Sequence, residues 1–197
     1  GGQDMKFTTF RRDGDRVTDE VDEARMNYSC QAGAGQTLEN MSTILGLDVA
    51  GSLQESALEA ERVPVIDATC GVFMELEEQR LIAENHSAPE IAAAIVRATA
   101  SSYFNKFVGG TRLVGRRCSC QGGPALGKAF LAAMADVTGR DIHAYPGREL
   151  MGALGAALFV RESVLSARRE GRKTASSFRG WDAASGGFSH QETTCPA

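Results

Sequence analysis

The second half of the chain alternates strand candidates with helical patterns, and this alternation constrains the fold more than any other feature. In chain order the pattern predicts a strand over 117–121, a helix that ends at Gly139, a strand over 141–145 and a long helix over 148–169. Strands that alternate with helices form βαβ units, whose strands lie parallel in one sheet. The sequence therefore predicts an α/β fold with a mostly parallel sheet.

The first half predicts a hairpin followed by helices. Strand candidates over 6–10 and 16–21 flank Asp13-Gly14, which is a strong hairpin signal. Helical spacing of apolar residues then predicts four helices, over 31–46, 53–61, 71–85 and 87–107, with an extended segment over 64–68. We expect Thr69 near the N-cap of the third helix, with Val72, Phe73 and Leu76 along one side.

Leucines and aromatic residues predict the inward faces of the C-terminal helices. The spacing of Leu126, Phe130, Met134 and Val137 places these four residues on one helical face. The last helix carries four leucines in register, at positions 150, 154, 158 and 165. We expect the face of the first of these helices to be buried.

Composition and charge exclude several classes of protein. The 197 residues carry 21 Lys and Arg against 25 Asp and Glu, a net charge of −4, which does not favour nucleic-acid binding. Apolar stretches such as Gly152 to Val160 are too short to cross a membrane, so no membrane association is expected. An odd number of cysteines, five, favours a reducing compartment, and we expect a cytoplasmic protein.

Both ends of the chain predict an internal fragment. The sequence begins with Gly1-Gly2 rather than Met, and Cys195 lies next to the end. We expect residues 1–170 to form one lobe of a larger domain. The Ser-, Gly- and Arg-rich residues 171–197 predict a linker or disordered tail that leads to a missing domain.

Two cysteines have closely similar settings. Cys30 comes shortly before the helix predicted over 31–46, and Cys70 comes directly before the helix predicted over 71–85. A helix N-terminus lowers the pKa of a thiol and favours a thiolate. An iron–sulfur cluster usually takes four cysteines, so two copies of this pair would supply one cluster across a symmetric interface. Cys118 and Cys120, two apart on a strand candidate, are interpreted as core residues.

Glycine-rich segments suggest where backbone approaches a ligand, although each has a purely structural alternative. Gly33-Ala34-Gly35 precedes a helix and can form an anion-binding nest. Gly122-Gly123 joins a strand to a helix, and Gly152 lies on the small face of another helix. Asp4, after Gly1-Gly2-Gln3, has a carboxylate suited to Mg²⁺ directly or through water.

Taken together, these segments resemble the ATP-dependent activators of 2-hydroxyacyl-CoA dehydratases and benzoyl-CoA reductases, the BadF/BadG type. The resemblance covers about residues 1–160 and is closest to the large CoA-substrate-specific activases. It rests on five motifs in order: Gly-Gly-Gln-Asp, Cys30-x-Ala-Gly-x-Gly, Thr-Cys70-x-Val-Phe-Met-Glu, Gln-Gly-Gly-Pro and Gly152-Ala-Leu-Gly-Ala-Ala. It implies the C-terminal part of an ATPase domain of the acetate and sugar kinase, Hsp70 and actin fold, which is ribonuclease H-like.

The resemblance also implies roles for particular residues. Gly1, Gly2, Gln3 and Asp4 match the second phosphate loop, and Gly122 and Gly123 match the adenosine loop. Gly152 matches the second connecting helix, while Gly33, Gly35 and Glu39 lie where the family approaches the nucleotide. Cys30 and Cys70 match the ligands of a [4Fe-4S] cluster held between two activator domains.

The implied function is ATP hydrolysis that drives electron transfer. ATP, Mg²⁺ and the cluster are the implied cofactors. The implied partners are a dehydratase or CoA-ester reductase component, a ferredoxin or flavodoxin as donor, and a second copy or domain. Ala34 stands where the family usually has Thr, and the first phosphate loop is absent, so we expect this chain alone to bind ATP poorly. Two alternatives stay open: a sugar-kinase-like phosphotransferase without a cluster, and a regulatory domain without activity.

Overall fold

The computed structural model describes residues 4–26 and 35–184, which contain four strands and six α-helices. The strands are β1 (Lys6–Asp13), β2 (Arg16–Met26), β3 (Arg117–Ser119) and β4 (Asp141–His143). The helices are α1 (Gly35–Ile44), α2 (Ser52–Leu58), α3 (Gly71–Ala83), α4 (Ala88–Ser102), α5 (Lys128–Thr138) and α6 (Met151–Arg169). A π-helical turn, Tyr103–Val108, extends α4, and 3₁₀ turns occur at Thr111–Leu113, Gly123–Leu126, Arg148–Leu150 and Trp181–Ala184.

The predicted hairpin is confirmed and is longer than the sequence pattern indicated. Strands β1 and β2 pair antiparallel, from Lys6 opposite Met26 to Asp13 opposite Arg16. The turn passes through Gly14, whose φ of 58° lies in the left-handed region that glycine favours. The pairing register shifts on either side of Phe10, as it does at a β-bulge.

Helix α4 is the centre of the core. Eleven of its fifteen residues are buried, and α1, α2, α3 and α5 all contact it. Alanine at six positions gives the helix small side chains, so neighbouring helices can pack closely on several sides. Its start is a capping box, in which the Ser87 hydroxyl accepts from the Glu90 amide while the Glu90 carboxylate accepts from the Ser87 amide. Hydrogen bonds to its carboxylate, first from the Ser87 amide and then from the Arg62 and His86 side chains, hold the pKa of Glu90 down at about 2.

Strands β3 and β4 form a parallel pair, as the alternation predicted. Arg117 lies opposite Asp141 and Ser119 opposite His143, with α5 as the crossover between the two strands. Helix α5 packs on α4 and so joins this βαβ unit to the helical core. In the described residues the parallel pairing involves these two strands alone, and residues 64–68, predicted to be extended, belong to no strand.

One expectation about side-chain placement, the inward position of Leu126, is wrong. Cys70 is the N-cap of α3, and Thr69 directly precedes it, as expected. Val72, Phe73 and Leu76 do share one side of α3, but that side is exposed, because the α3 residues that pack inward are Gly71, Met74, Glu78 and Leu81. Leu126 lies in the 3₁₀ turn before α5 and is 39% exposed, since α5 begins only at Lys128.

Helix α6 is almost entirely exposed, although its leucines recur at helical spacing. Leu150, Leu154 and Leu158 all face solvent. The helical stretch Arg148–Arg169 has the length and hydropathy of a membrane span by composition alone, so the expectation that no segment is long enough is corrected. Two compact units divide the chain between Ala153 and Leu154, inside this helix. Residues 172–180 have no regular structure, and the predicted tail beyond residue 184 lies outside the described residues.

Candidate functional site

The Gly122-Gly123 segment forms a tight loop at the end of β3. Gly122 has φ of 95° and ψ of 177°, a backbone conformation that residues other than glycine rarely adopt. A 3₁₀ turn, Gly123–Leu126, follows, and Gly127 is the N-cap of α5. The loop therefore places the half-buried Gly122 and the exposed Gly123 between a parallel strand and a helix N-terminus, where the lack of side chains lets a ligand approach the backbone closely.

Arg148 fixes this loop from the segment that leads into α6. Its guanidinium Nε donates to the carbonyl oxygen of Ala125 at 2.6 Å, and its own carbonyl oxygen accepts from the Gly122 amide at 3.0 Å. The Cys120 amide also donates to the His143 carbonyl oxygen, which continues the pairing beyond β3 and β4. The structure thereby links the predicted adenosine loop to the start of the helix that carries Gly152.

The other described candidates lie on separate elements. Asp4 is exposed just before β1, and its carboxylate lies 3.7 Å from the Lys6 ammonium. Gly35 begins α1, and the exposed Glu39 accepts a hydrogen bond from Gln36 at 3.4 Å. A Cβ added at Gly152 would meet nothing within 4 Å. Their predicted roles at a nucleotide stay predictions.

Five candidates fall outside the described residues. They are Gly1, Gly2, Gln3, Cys30 and Gly33.

Cys70 is a half-buried free cysteine at the N-terminus of α3. Its backbone is extended, with φ of −159° and ψ of 171°, and its carbonyl oxygen accepts the first helical bond from Met74. Val72 and Phe73, in the first turn, are 66% and 49% exposed. A thiol at a helix N-terminus beside an exposed apolar surface suits a metal ligand at an interface between two copies of a chain.

Cys118 and Cys120 occupy a different environment. Both are half-buried and pack against the helical core, as predicted. The Cys118 thiol donates to the Gly115 carbonyl oxygen, and burial raises the pKa of both thiols. A raised pKa keeps the thiol protonated, so these side chains are poorly suited to ligate a metal as thiolates.

The donor set fits a cluster only if further ligands come from outside the described residues. Within residues 4–26 and 35–184, no group of three or more Cys, His, Asp or Glu side chains could hold a metal ion. Cys70 would be one ligand of such a cluster, and Cys30 would be the second. A four-thiolate cluster would then need a second copy of both cysteines.

Sequence reasoning missed Glu78, which is fully buried in α3. Among the described residues neither carboxylate oxygen has a hydrogen-bond partner, and burial, with a smaller contribution from Glu75, raises the pKa of Glu78 to about 7. The signal was available in the sequence, because Met74, Glu78 and Leu81 recur at the spacing of one helical face.

A family model of the BadF/BadG/BcrA/BcrD ATPase family matches residues 1–160. The chain belongs to this family. The 2-hydroxyisocaproyl-CoA dehydratase activator of Clostridioides difficile is 31% identical over 172 residues, which cover 86% of this chain and 61% of the relative. The (R)-2-hydroxyglutaryl-CoA dehydratase activating ATPase of Acidaminococcus fermentans is 31% identical over 81% of this chain and 58% of its own length.

Solved structures of two family members share this fold. The activator of the 2-hydroxyisocaproyl-CoA dehydratase from Clostridium difficile with bound ADPNP superposes with a TM-score of 0.70 at 29% identity, over 89% of this chain and 62% of that one. Component A of the Acidaminococcus fermentans (R)-2-hydroxyglutaryl-CoA dehydratase gives a TM-score of 0.68 at 30% identity, over 80% and 57%. The fold is therefore the actin- and Hsp70-like fold of this ATPase family. The chain spans about three fifths of the length of these relatives.

Proposed function

We propose that this protein is an ATP-hydrolysing iron–sulfur activator. It would deliver an electron at low potential to a 2-hydroxyacyl-CoA dehydratase or a related CoA-ester reductase component. The observation that carries the proposal is Cys70, a half-buried thiol at the N-terminus of α3 with exposed apolar residues beside it. The names of the relatives, which include dehydratase activators and a component of benzoyl-CoA reductase, support the same partner class.

Each copy would contribute Cys30 and Cys70, so two copies or two paired domains would hold one [4Fe-4S] cluster. The cluster would supply one-electron transfer. The chain's own contribution is the thiolate and the partial positive charge of the α3 N-terminus, which offsets the negative charge of a thiolate-ligated group. Val72, Phe73 and Leu76 would lie in the contact between the copies, because an exposed apolar surface beside the ligand would then be covered. An electron donor such as ferredoxin or flavodoxin would restore the reduced state.

The nucleotide would bind at a different part of the chain, the Gly122-Gly123 loop. Backbone groups of this loop would meet the adenosine, and Asp4 would bind Mg²⁺ directly or through water. Gly1, Gly2, Gln3, Gly33, Gly35 and Glu39 would line the phosphate side. Because the chain spans about three fifths of its relatives' length, 61% and 58%, the complete ATP cleft would need the rest of the domain.

The remainder of the domain would also cover α6. Leu154, Leu158 and Phe159 are 52%, 52% and 74% exposed in the second compact unit, 154–197. We propose residues 1–170 as one lobe of the ATPase domain and residues 171–197 as a linker. We also propose a cytoplasmic location, because an odd number of cysteines, five, favours a reducing compartment.

Iron content tests the cluster assignment. On full-length protein prepared without oxygen, Cys30→Ser or Cys70→Ser should lose the iron, the brown colour and much of the self-association measured by light scattering, while ATP binding survives. Cys118→Ser is the matched control and should keep all of these. A colourless, iron-free wild-type protein would end the redox assignment and favour the sugar-kinase-like alternative.

A further inference from the structure

Helix α5, which follows the predicted adenosine loop, has an N-cap residue without a side chain. Gly127 occupies the N-cap position with φ of −77° and ψ of 119°, and it makes no side-chain cap bond. A helix start leaves its first amides without helical partners, and a Ser, Asp or Asn at the N-cap normally accepts from the third helical residue. In α5 that residue is Phe130.

Gln54 of α2 provides the missing acceptor from another helix. The Phe130 amide donates to the Gln54 side-chain oxygen at 3.0 Å, which is the bond that a capping side chain at Gly127 would take. The Gln54 side-chain nitrogen donates in turn to the Val49 carbonyl oxygen at 3.0 Å. Both ends of this amide are therefore occupied.

The fit between Gln54 and Gly127 is close. Gln54 is only 5% exposed, and a Cβ built on Gly127 would overlap its side-chain amide. The backbone angles at Gly127 lie in the extended region that any residue adopts, so glycine is not needed for conformation. Its small size is instead what admits the capping side chain of Gln54.

Two interactions therefore hold the loop of residues 122–127 at opposite ends. Arg148 bonds Gly122 and Ala125 from one side, while Gln54 holds the Gly127 end through α5. We propose that Gln54 is a positioning residue for the nucleotide, because it caps α5 from α2 and so fixes the far end of the adenosine loop. This inference rests on the proposed function, in which that loop binds ATP.

The test moves the group that caps α5 from Gln54 on α2 to position 127. In the full-length protein, Gln54→Ala should lower Tm by about 2–4 °C, weaken ATP binding by roughly threefold to tenfold, and speed amide exchange at Phe130. Gly127→Ser alone should displace Gln54 and give an intermediate loss. The double variant Gln54→Ala/Gly127→Ser carries its own capping hydroxyl and should recover both Tm and ATP affinity.

Leu53→Ala is the matched control, because Leu53 is a fully buried neighbour on the same helix without a role in the cap. It should lower Tm at least as much and leave the ATP affinity of the folded protein unchanged. If Gln54→Ala does not fold, the double variant alone must still fold and bind ATP as the wild type does.

Unchanged ATP affinity in folded Gln54→Ala, or a double variant that recovers neither property, would overturn the positioning role. A wild-type protein that fails to bind ATP would instead refute the proposed function and this role together. The recovery of Tm would then show separately whether the cap exists.

Discussion

Replacing the buried Glu78 by methionine should make the protein more stable, and increasingly so as the pH rises. Glu78 is 0% exposed, and neither of its carboxylate oxygens has a hydrogen-bond partner in residues 4–26 or 35–184. Methionine has a similar length and flexibility and needs no partner, so it suits the interface that α3 forms with α1 and α4. The variant removes the carboxyl group and leaves the rest of the helix unchanged.

The magnitude follows from the difference in pKa between the folded and unfolded states. Burial raises the pKa of Glu78 from 4.5 to about 7, so the folded state binds the proton more tightly. Stability is then highest below about pH 4.5, falls as the pH rises toward 7, and stays lower above it. The full shift corresponds to about 3 kcal/mol, and about 2 kcal/mol of it falls between pH 5 and pH 8, because part of the change has already occurred between pH 4.5 and pH 5.

Urea unfolding at pH 5 and pH 8 measures this difference. The gain in unfolding free energy from Glu78→Met should be about 2 kcal/mol larger at pH 8 than at pH 5. Because the comparison is between variant and wild type at each pH, the other titrating groups cancel. Glu55→Met, at an exposed position on α2, is the control and should change the unfolding free energy by the same amount at pH 5 and at pH 8. An equal gain from Glu78→Met at pH 5 and pH 8 would refute the reasoning.

Three further results are expected. Gly122→Val should abolish nucleotide binding in a folded full-length protein, because φ of 95° disfavours a side chain and the valine would occupy the ligand's space. Gly139→Ala, at φ of 62° beyond α5, is the control. Unchanged ATP affinity in Gly122→Val would show that this loop is not part of the nucleotide site. Ser87→Ala should lower the unfolding free energy by about 1 kcal/mol through loss of the α4 cap, as urea denaturation would show, and no loss would mean that Glu90 sustains the helix start alone. Backbone amides over 172–180 should exchange rapidly, and slow exchange there would reveal packing that the sequence does not predict.

Local sequence signals determined those turns and helix ends that depend on only a few neighbouring residues. Asp13-Gly14 specified the hairpin turn, and Ser87 with Glu90 specified the start of α4, because each signal acts within a few residues. The alternation after residue 117 correctly predicted the parallel pair β3 and β4.

The extents of elements and the direction of their faces were harder to predict. Helical spacing grouped Val72, Phe73 and Leu76 on one side of α3, yet the opposite side packs against α1 and α4. Hydrophobic spacing identifies which residues share a face, but whether that face is covered depends on neighbouring elements and on other parts of the protein. The same limit applies to the exposed leucines of α6.

The sequence by itself determined the family motifs, the hairpin turn, the start of α4 and the order of strands and helices, because all of these depend on residues close together in the chain. Only the tertiary structure decided that Gln54 caps α5 and that Arg148 bonds the Gly122 loop. It alone also decided that Glu78 is enclosed without a partner. The first two contacts join residues 76 and 23 positions apart. Such contacts, like the burial of a single carboxylate, arise from the packing of several elements together, which no local pattern specifies.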